Sequence, residues 1–159
     1  MQVSCIKADH GELLRAAGLR RTQARQAVLA ALASAGRPMT HQQLAAKSSL
    51  KTLDKVTPYR TLTKLRLSGL LHVVRGADGT ALFCTNRDGT GCPGGHAHFQ
   101  CLECGEMRCV HEQRVPRIAL GEDVVVKAKQ LVAFGLCPRC ARTTAHKGAR
   151  RRKSRAEAT

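Results

Sequence analysis

Tryptophan is absent from these 159 residues, which hold one tyrosine and three phenylalanines. So few large side chains cannot fill one big core. Two small units fit better, and units of that size usually need a stabiliser such as a structural metal. Acidic residues are also scarce, with 11 Asp and Glu against 27 Lys and Arg, for a net charge of +16. That balance points to an anionic partner, with nucleic acid first. No apolar run approaches the roughly 18 residues of a membrane span. The opening MQVSCIKADHGELLRAAG has no apolar stretch of signal-peptide length. A cytoplasmic protein with reduced thiols is therefore expected.

The basic charge is uneven. Residues 1–84 carry 13 Lys and Arg against 4 acids, residues 85–146 carry 8 against 6, and the last 13 residues carry 6 against 1. Basic charge is therefore concentrated in the first half and the tail, and the basic first half implies an anionic partner. The nearly balanced middle has another task.

The first half reads as helices. Leu13, Leu14 and Ala17 begin a short one that Gly18 ends. Thr22 caps a second, in which Ala24, Val28, Leu29 and Leu32 recur at helical spacing until Gly36 and Pro38 stop it. A third runs from about Thr40 through Leu44 and Ala45. In VTPYRTLTKLRLSGLL, Thr57 is expected as N-cap and Pro58 as the first helical residue. Leu62 and Leu65 face inward there, and Tyr59, Arg60, Thr63 and Lys64 share the other side. LLHVVRGADGTALFC then reads as two strands around Asp78-Gly79, a hairpin signal. Three helices, a fourth with a polar and basic face, and a hairpin make a winged helix-turn-helix. The fourth helix would lie in the major groove.

The Gly-rich TNRDGTGCPGG reads as a linker. Beyond it, strands are expected at His96–Cys101, Glu106–Val110, Val124–Ala128 and Leu131–Leu136, and a helix near Glu112–Ala119. The expected organisation is α+β. A winged-helix DNA-binding domain spans 1–84 and a linker 85–95. A small α/β dimerisation domain with a four-cysteine zinc site spans 96–145, and a basic, disordered tail 146–159.

Eight cysteines and seven histidines supply the chemistry. Cys101-x-x-Cys104-Gly and Cys137-x-x-Cys140 have the spacing of two zinc knuckles. In each, both sulfurs can reach one tetrahedral ion. His96 and His98 alternate, so on a strand their rings share a face. His72 on the first wing strand and Cys84 at the end of the second can meet them at the junction of the halves. One sulfur and three nitrogens suit Zn(II) better than Fe(II) or Mn(II), because thiolate is a soft ligand. Cys109 and His111 are alternative members of this set.

A basic winged helix with VTPYRTL, then HAHFQCLECG and a closing CPRC, resembles the Fur family of metal-sensing repressors over roughly residues 10–141. Thr57-Pro58-Tyr59-Arg60 stands where the family carries T-V-Y-R, and its H-x-H-x-x-C-x-x-C-G is complete. The resemblance implies a dimeric repressor of palindromic operators, with structural zinc at Cys101, Cys104, Cys137 and Cys140. It implies a regulatory metal at His72, Cys84, His96 and His98, hence two zinc ions per chain. It also implies DNA contacts from Tyr59, Arg60 and Arg25, with Thr57 and Lys64 at phosphates. A cysteine at position 84, where iron regulators carry a carboxylate, is similar to the zinc-uptake branch. Pro116 and Lys129 fall where iron regulators place further ligands, so the third, iron-type site looks unfilled. Without the junction metal, the halves are expected to be joined only by a flexible tether.

Other readings are weaker. Zinc deaminases need H-x-E and P-C-x-x-C, whereas this chain has H-A-H and no proline before its second pair, so no enzyme is expected. A zinc-ribbon RNA-binding module would lack aromatic stacking platforms and leaves the winged helix without a role. Sensing of another metal, or of peroxide, stays open within the family.

Overall fold

Local sequence signals set the first half. The structure, a computed structural model, describes residues 9–144 apart from 48–49, 51–55, 86–95, 117, 119 and 127–128. Helix α1, His10–Ala16, starts at Asp9, whose carboxylate accepts the Gly11 N–H at 2.8 Å. Helix α2, Gln23–Ala35, is capped by Thr22 and ends on Gly36 in the left-handed conformation, φ 60°. Helix α3, His41–Ala45, starts in a capping box. Thr40 Oγ1 accepts from Gln43 N, and Gln43 Oε1 accepts from Thr40 N, both at 3.1 Å. Helix α4 spans Val56–Leu67. It begins ahead of Thr57, so Thr57 lies in the first turn rather than at the expected cap.

The helices bury one continuous core. Leu14, Val28, Leu29, Leu32, Met39, Leu44, Leu50, Leu62 and Leu65 are all inside it. Strands β1, Leu71–Arg75, and β2, Ala81–Thr85, pair antiparallel with His72 opposite Cys84. The turn between them is closed by Thr80 N–H donating to Asp78 Oδ1 at 3.0 Å, with Gly79 at φ 78°. Met39 bridges to Phe83, which fastens the wing to the helices.

The second half is one three-stranded sheet in the order β4-β3-β5. Strand β3 is His96–Cys101, β4 is Met107–Arg114 and β5 is Val132–Gly135. The central strand pairs antiparallel with β4, with a register shift between His96 and Ala97, and parallel with β5. Two expectations fail here. No helix forms near Glu112–Ala119 among the described residues, because β4 continues through Glu112 to Arg114 against β3. Val124, Val125 and Val126 are not in a strand and are exposed. The expected linker and tail lie outside the described residues.

The wing also touches the second half directly, which a bare tether would not give. Val74 and Leu82 of the hairpin form an apolar cluster with Met107 of β4, with Val132 packed against it. Gln100 Oε1 accepts the Ala77 N–H at 2.8 Å, and Gln130 Oε1 accepts the Arg75 N–H at 2.9 Å.

Leu65 is fully buried, so Leu65→Ala removes transfer energy and leaves a cavity. It should cost about 2–5 kcal/mol of unfolding free energy, read as a lower urea midpoint at unchanged slope.

Candidate metal centres and nucleic-acid face

Strand β3 carries two kinds of ligand on its two faces. His96, His98 and Gln100 alternate on the side turned to the wing, where Gln100 meets Ala77. Phe99 and Cys101 alternate on the other, where Phe99 packs against Cys101, Cys137 and Cys140. Period-two geometry thus serves two sites from six residues.

The ligand atoms of Cys101, Cys104, Cys137 and Cys140 lie within 4.8 Å of one another. The first knuckle turns at Gly105, φ 71°, whose N–H donates to Cys101 O at 2.9 Å. The second follows β5 and leads into a helical segment, residues 138–144. Leu102 N–H donates to Gly135 O at 2.8 Å and Cys137 N–H to Cys101 Sγ at 3.3 Å, so backbone bonds hold the knuckles together. Three of the sulfurs are buried and Cys104 is exposed.

The thiol electrostatics identify what this cluster needs. Donation from the Cys104 and Cys137 backbone N–H groups lowers the Cys101 pKa to about 6. The Cys137 thiol is also lowered, chiefly by the Cys140 N–H. Cys140 is pushed up to about 12 by its contact with the Cys137 sulfur, by burial and by the other thiols. Four sulfurs this close cannot all ionise on their own. A divalent cation shared by all four removes that conflict, and zinc in tetrahedral thiolate coordination fits the donor set.

The second cluster joins the halves. His72, Cys84, His96 and His98 bring their ligand atoms within 4.8 Å of one another. Cross-strand pairing sets His72 beside Cys84, and strand alternation sets His96 beside His98, with ring centroids 4.6 Å apart. His72 lies 5.1 Å from the His96 ring and 5.5 Å from that of His98. Cys84 Sγ is 3.6 Å from His96 Nε2. His98 is 1% exposed, yet neither ring nitrogen makes a hydrogen bond. Burying two unsatisfied polar atoms is costly, and coordination of an ion through one of them would relieve part of that cost.

The two alternative donors lie at the edge of this cluster. Cys109 pairs with His98 across β3 and β4, and its sulfur is 3.4 Å from Cys84 Sγ. Contact with Cys84, together with the rings of His96 and His98, lowers its pKa to about 3. His111 stacks 4.7 Å from His96. The cluster thus holds more donors than four positions require. The extra sulfur beside Cys84 comes from the β3–β4 register, which the sequence does not spell out.

Of the residues expected to contact DNA, Tyr59, Arg60 and Lys64 are exposed on α4, Tyr59 at 62%. Thr57 lies in the first turn of α4. Arg25 is half-buried on α2, and its guanidinium donates to Arg20 O at 2.6 Å. His41, for which the sequence suggested no role, sets its ring edge-on to Tyr59 with centroids 5.9 Å apart. That contact steadies the one tyrosine of the chain from the first residue of α3.

The sequence model of the ferric uptake regulator family matches residues 16–130. The chain belongs to that family. Its members are transcriptional regulators rather than enzymes. Comparison with curated proteins gives no match. Solved structures do match in fold. The Vibrio cholerae ferric uptake regulator aligns at TM-score 0.58 and 21% identity, over 81% of this chain and 100% of the other. A zinc uptake regulator complexed with zinc and DNA aligns at 0.58 and 20%, over 87% and 99%. Holo XcZur aligns at 0.53 and 24%, over 82% and 98%. These likenesses bear on the fold alone. As an α+β member of the ferric uptake regulator family, the chain combines a winged helix, a dimerisation-type sheet and a four-cysteine cluster suited to zinc. No helix among the described residues is long and apolar enough to cross a membrane.

Replacing one sulfur of the four-cysteine cluster tests its structural role. Cys101 is fully buried and ties both knuckles. Cys101→Ser should lose zinc and unfold or monomerise, since structural zinc contributes folding free energy directly. Thermal denaturation with light scattering checks this, and a folded oligomer of normal stability would contradict it.

Proposed function

We propose that this member of the ferric uptake regulator family is a zinc-responsive repressor of zinc-uptake genes in the cytoplasm, binding palindromic operators as a dimer. The observation that carries the choice of metal is the junction donor set. Cys84 with His72, His96 and His98 offers one thiolate and three imidazoles, a set that favours Zn(II) over the harder Fe(II) and Mn(II). Fold similarity does not choose, since iron, manganese and zinc regulators align comparably. The reading assigns two zinc ions per chain, one at the four cysteines and one at the junction. Residues 1–84 would carry DNA binding, 85–95 the linker, 96–145 the dimer, and 146–159 a further basic segment.

Two further features support the assembly. Leu102, Phe134 and Leu136 are exposed around the β3–β5 end of the sheet, and exposed apolar clusters mark interaction surfaces. The exposed Tyr59, Arg60 and Lys64 on α4 offer a face for the major groove. In this reading Tyr59 meets thymine methyls, Arg60 and Arg25 contact bases or backbone, and Thr57 and Lys64 meet phosphates.

The regulatory step is a bias on wing position. Bound zinc supplies a charge centre that prefers four fixed donors. His72 and Cys84 move with the wing, and His96 and His98 with β3. When all four share one ion, the wing holds one posture on the sheet. The contacts of Gln100 and Gln130, with the cluster of Val74, Leu82 and Met107, already dock the wing. By holding one ion, His72, Cys84, His96 and His98 would therefore sharpen an existing interface. Two recognition helices held at one separation match an operator whose half-sites lie a fixed number of turns apart. Coupling of about 1–3 kcal/mol gives roughly 5–150-fold tighter operator binding, and operator tightens zinc binding by the same factor.

Operator titration by fluorescence anisotropy, with and without added Zn(II), tests the reading. Wild type should tighten by about 5–150-fold, and Cys84→Ser should not respond. Equal affinities in all four conditions would sink the sensor function. Lys64→Ala should reduce the slope of log K against log salt by about 0.9 with sequence preference unchanged. A selective loss of affinity for the operator would instead make Lys64 a base-reading residue.

A further inference from the structure

Six donor residues crowd the junction, and only four are used above. The two sulfurs among them, Cys84 and Cys109, are 3.4 Å apart. They come from different sheets, Cys84 from β2 of the wing and Cys109 from β4. Side-chain rotation has only to close that gap to the roughly 2.05 Å of an S–S bond. The two differ in access. Cys84 is 4% exposed, whereas Cys109 is only half-buried. An accessible thiol beside a sheltered one is the arrangement of an attacking and a resolving cysteine.

We propose that Cys84 and Cys109 form an oxidisable pair that a peroxide converts to a disulfide, withdrawing Cys84 from the junction metal site. The chemistry balances in two steps. Cys109 Sγ attacks one peroxide oxygen; the O–O bond breaks, leaving a sulfenic acid on Cys109 and releasing water. Cys84 Sγ then attacks the Cys109 sulfur, the S–OH bond breaks, and the hydroxyl leaves as water with the Cys84 proton. The two sulfurs lose two electrons between them, and the peroxide accepts both. The disulfide provides no thiolate, so the junction is left with imidazoles alone, those of His72, His96 and His98 with His111 at the edge. The consequence for zinc rests on the function proposed above, whereas cross-linking of the two thiols does not. A metal sensor built this way would release its operator under oxidation as well as under zinc shortage.

Trypsin cuts after Arg75, Arg87, Arg108 and Arg114, so Cys84 and Cys109 each fall in a peptide with no other cysteine. The full chain, with its four-cysteine site loaded and the junction zinc removed by a mild chelator, is treated with hydrogen peroxide, alkylated, digested and mass-analysed. The expected product is the 76–87 peptide joined to the 109–114 peptide, two hydrogens lighter than the pair. Dithiothreitol should separate it, and Cys109→Ser should not form it. Zinc uptake at the junction should be lost on oxidation and return on reduction. Failure to find this cross-link in peroxide-treated chain overturns the proposal. A cross-link with zinc uptake unchanged overturns the withdrawal of Cys84. A reduced chain that takes up no junction zinc contradicts the proposed function, while the cross-link still decides the thiol pair.

Discussion

Four sulfurs gathered within 4.8 Å of one another, a cluster that fits one zinc ion, govern the second half of this chain. Left to themselves, Cys101 and Cys140 shift in opposite directions, one thiol towards ionisation and the other away from it. Cys101, Cys104, Cys137 and Cys140 would resolve the conflict by holding one ion, and they bring the end of β3, the turn at Gly105 and the start of the helical segment at 138–144 to a common centre. A short sheet with few aromatics has little else to order it. Everything the junction does presupposes that order, since His96 and His98 stand five and three residues before Cys101 on the same strand.

The junction differs in kind. Its donors come from both halves, and in the function proposed above a metal there would hold a posture rather than a fold. The wing already rests on the sheet through Gln100, Gln130 and a small apolar cluster. A contact of that size is weak enough for a ligand to bias, which is where regulation through modest coupling energy is expected. Surplus donors at the edge, Cys109 and His111, show a site with more ligand chemistry than one tetrahedral ion consumes.

Much of this was legible in the sequence where the signal is local. The cap at Thr22, the helix start near Thr40, the stop at Gly36 and the turn at Asp78-Gly79 all act within a few residues, and all recur in the structure. The C-x-x-C spacing needs no tertiary knowledge, and strand alternation alone sets His96 beside His98. Local signals misled where sheet pairing decides. Glu112 and its neighbours resemble a helix, but β3 recruits them as a continuation of β4. The Val124–Val126 run has strand composition yet lies exposed and outside any strand. The neighbourhood of Cys84 and Cys109 depends on the β3–β4 register that sets Cys109 opposite His98 and on the wing docking to β4, so neither residue's own surroundings announce it.

The central claim is that one strand serves two metal sites with separate ligands and separate roles. Zinc stoichiometry of purified chain and of Cys84→Ser, with stability followed in parallel, tests it most directly. The account predicts two zinc ions per wild-type chain, and one in a variant that keeps its fold and oligomeric state. A variant that still holds both ions, or that loses both together with its fold, would contradict it.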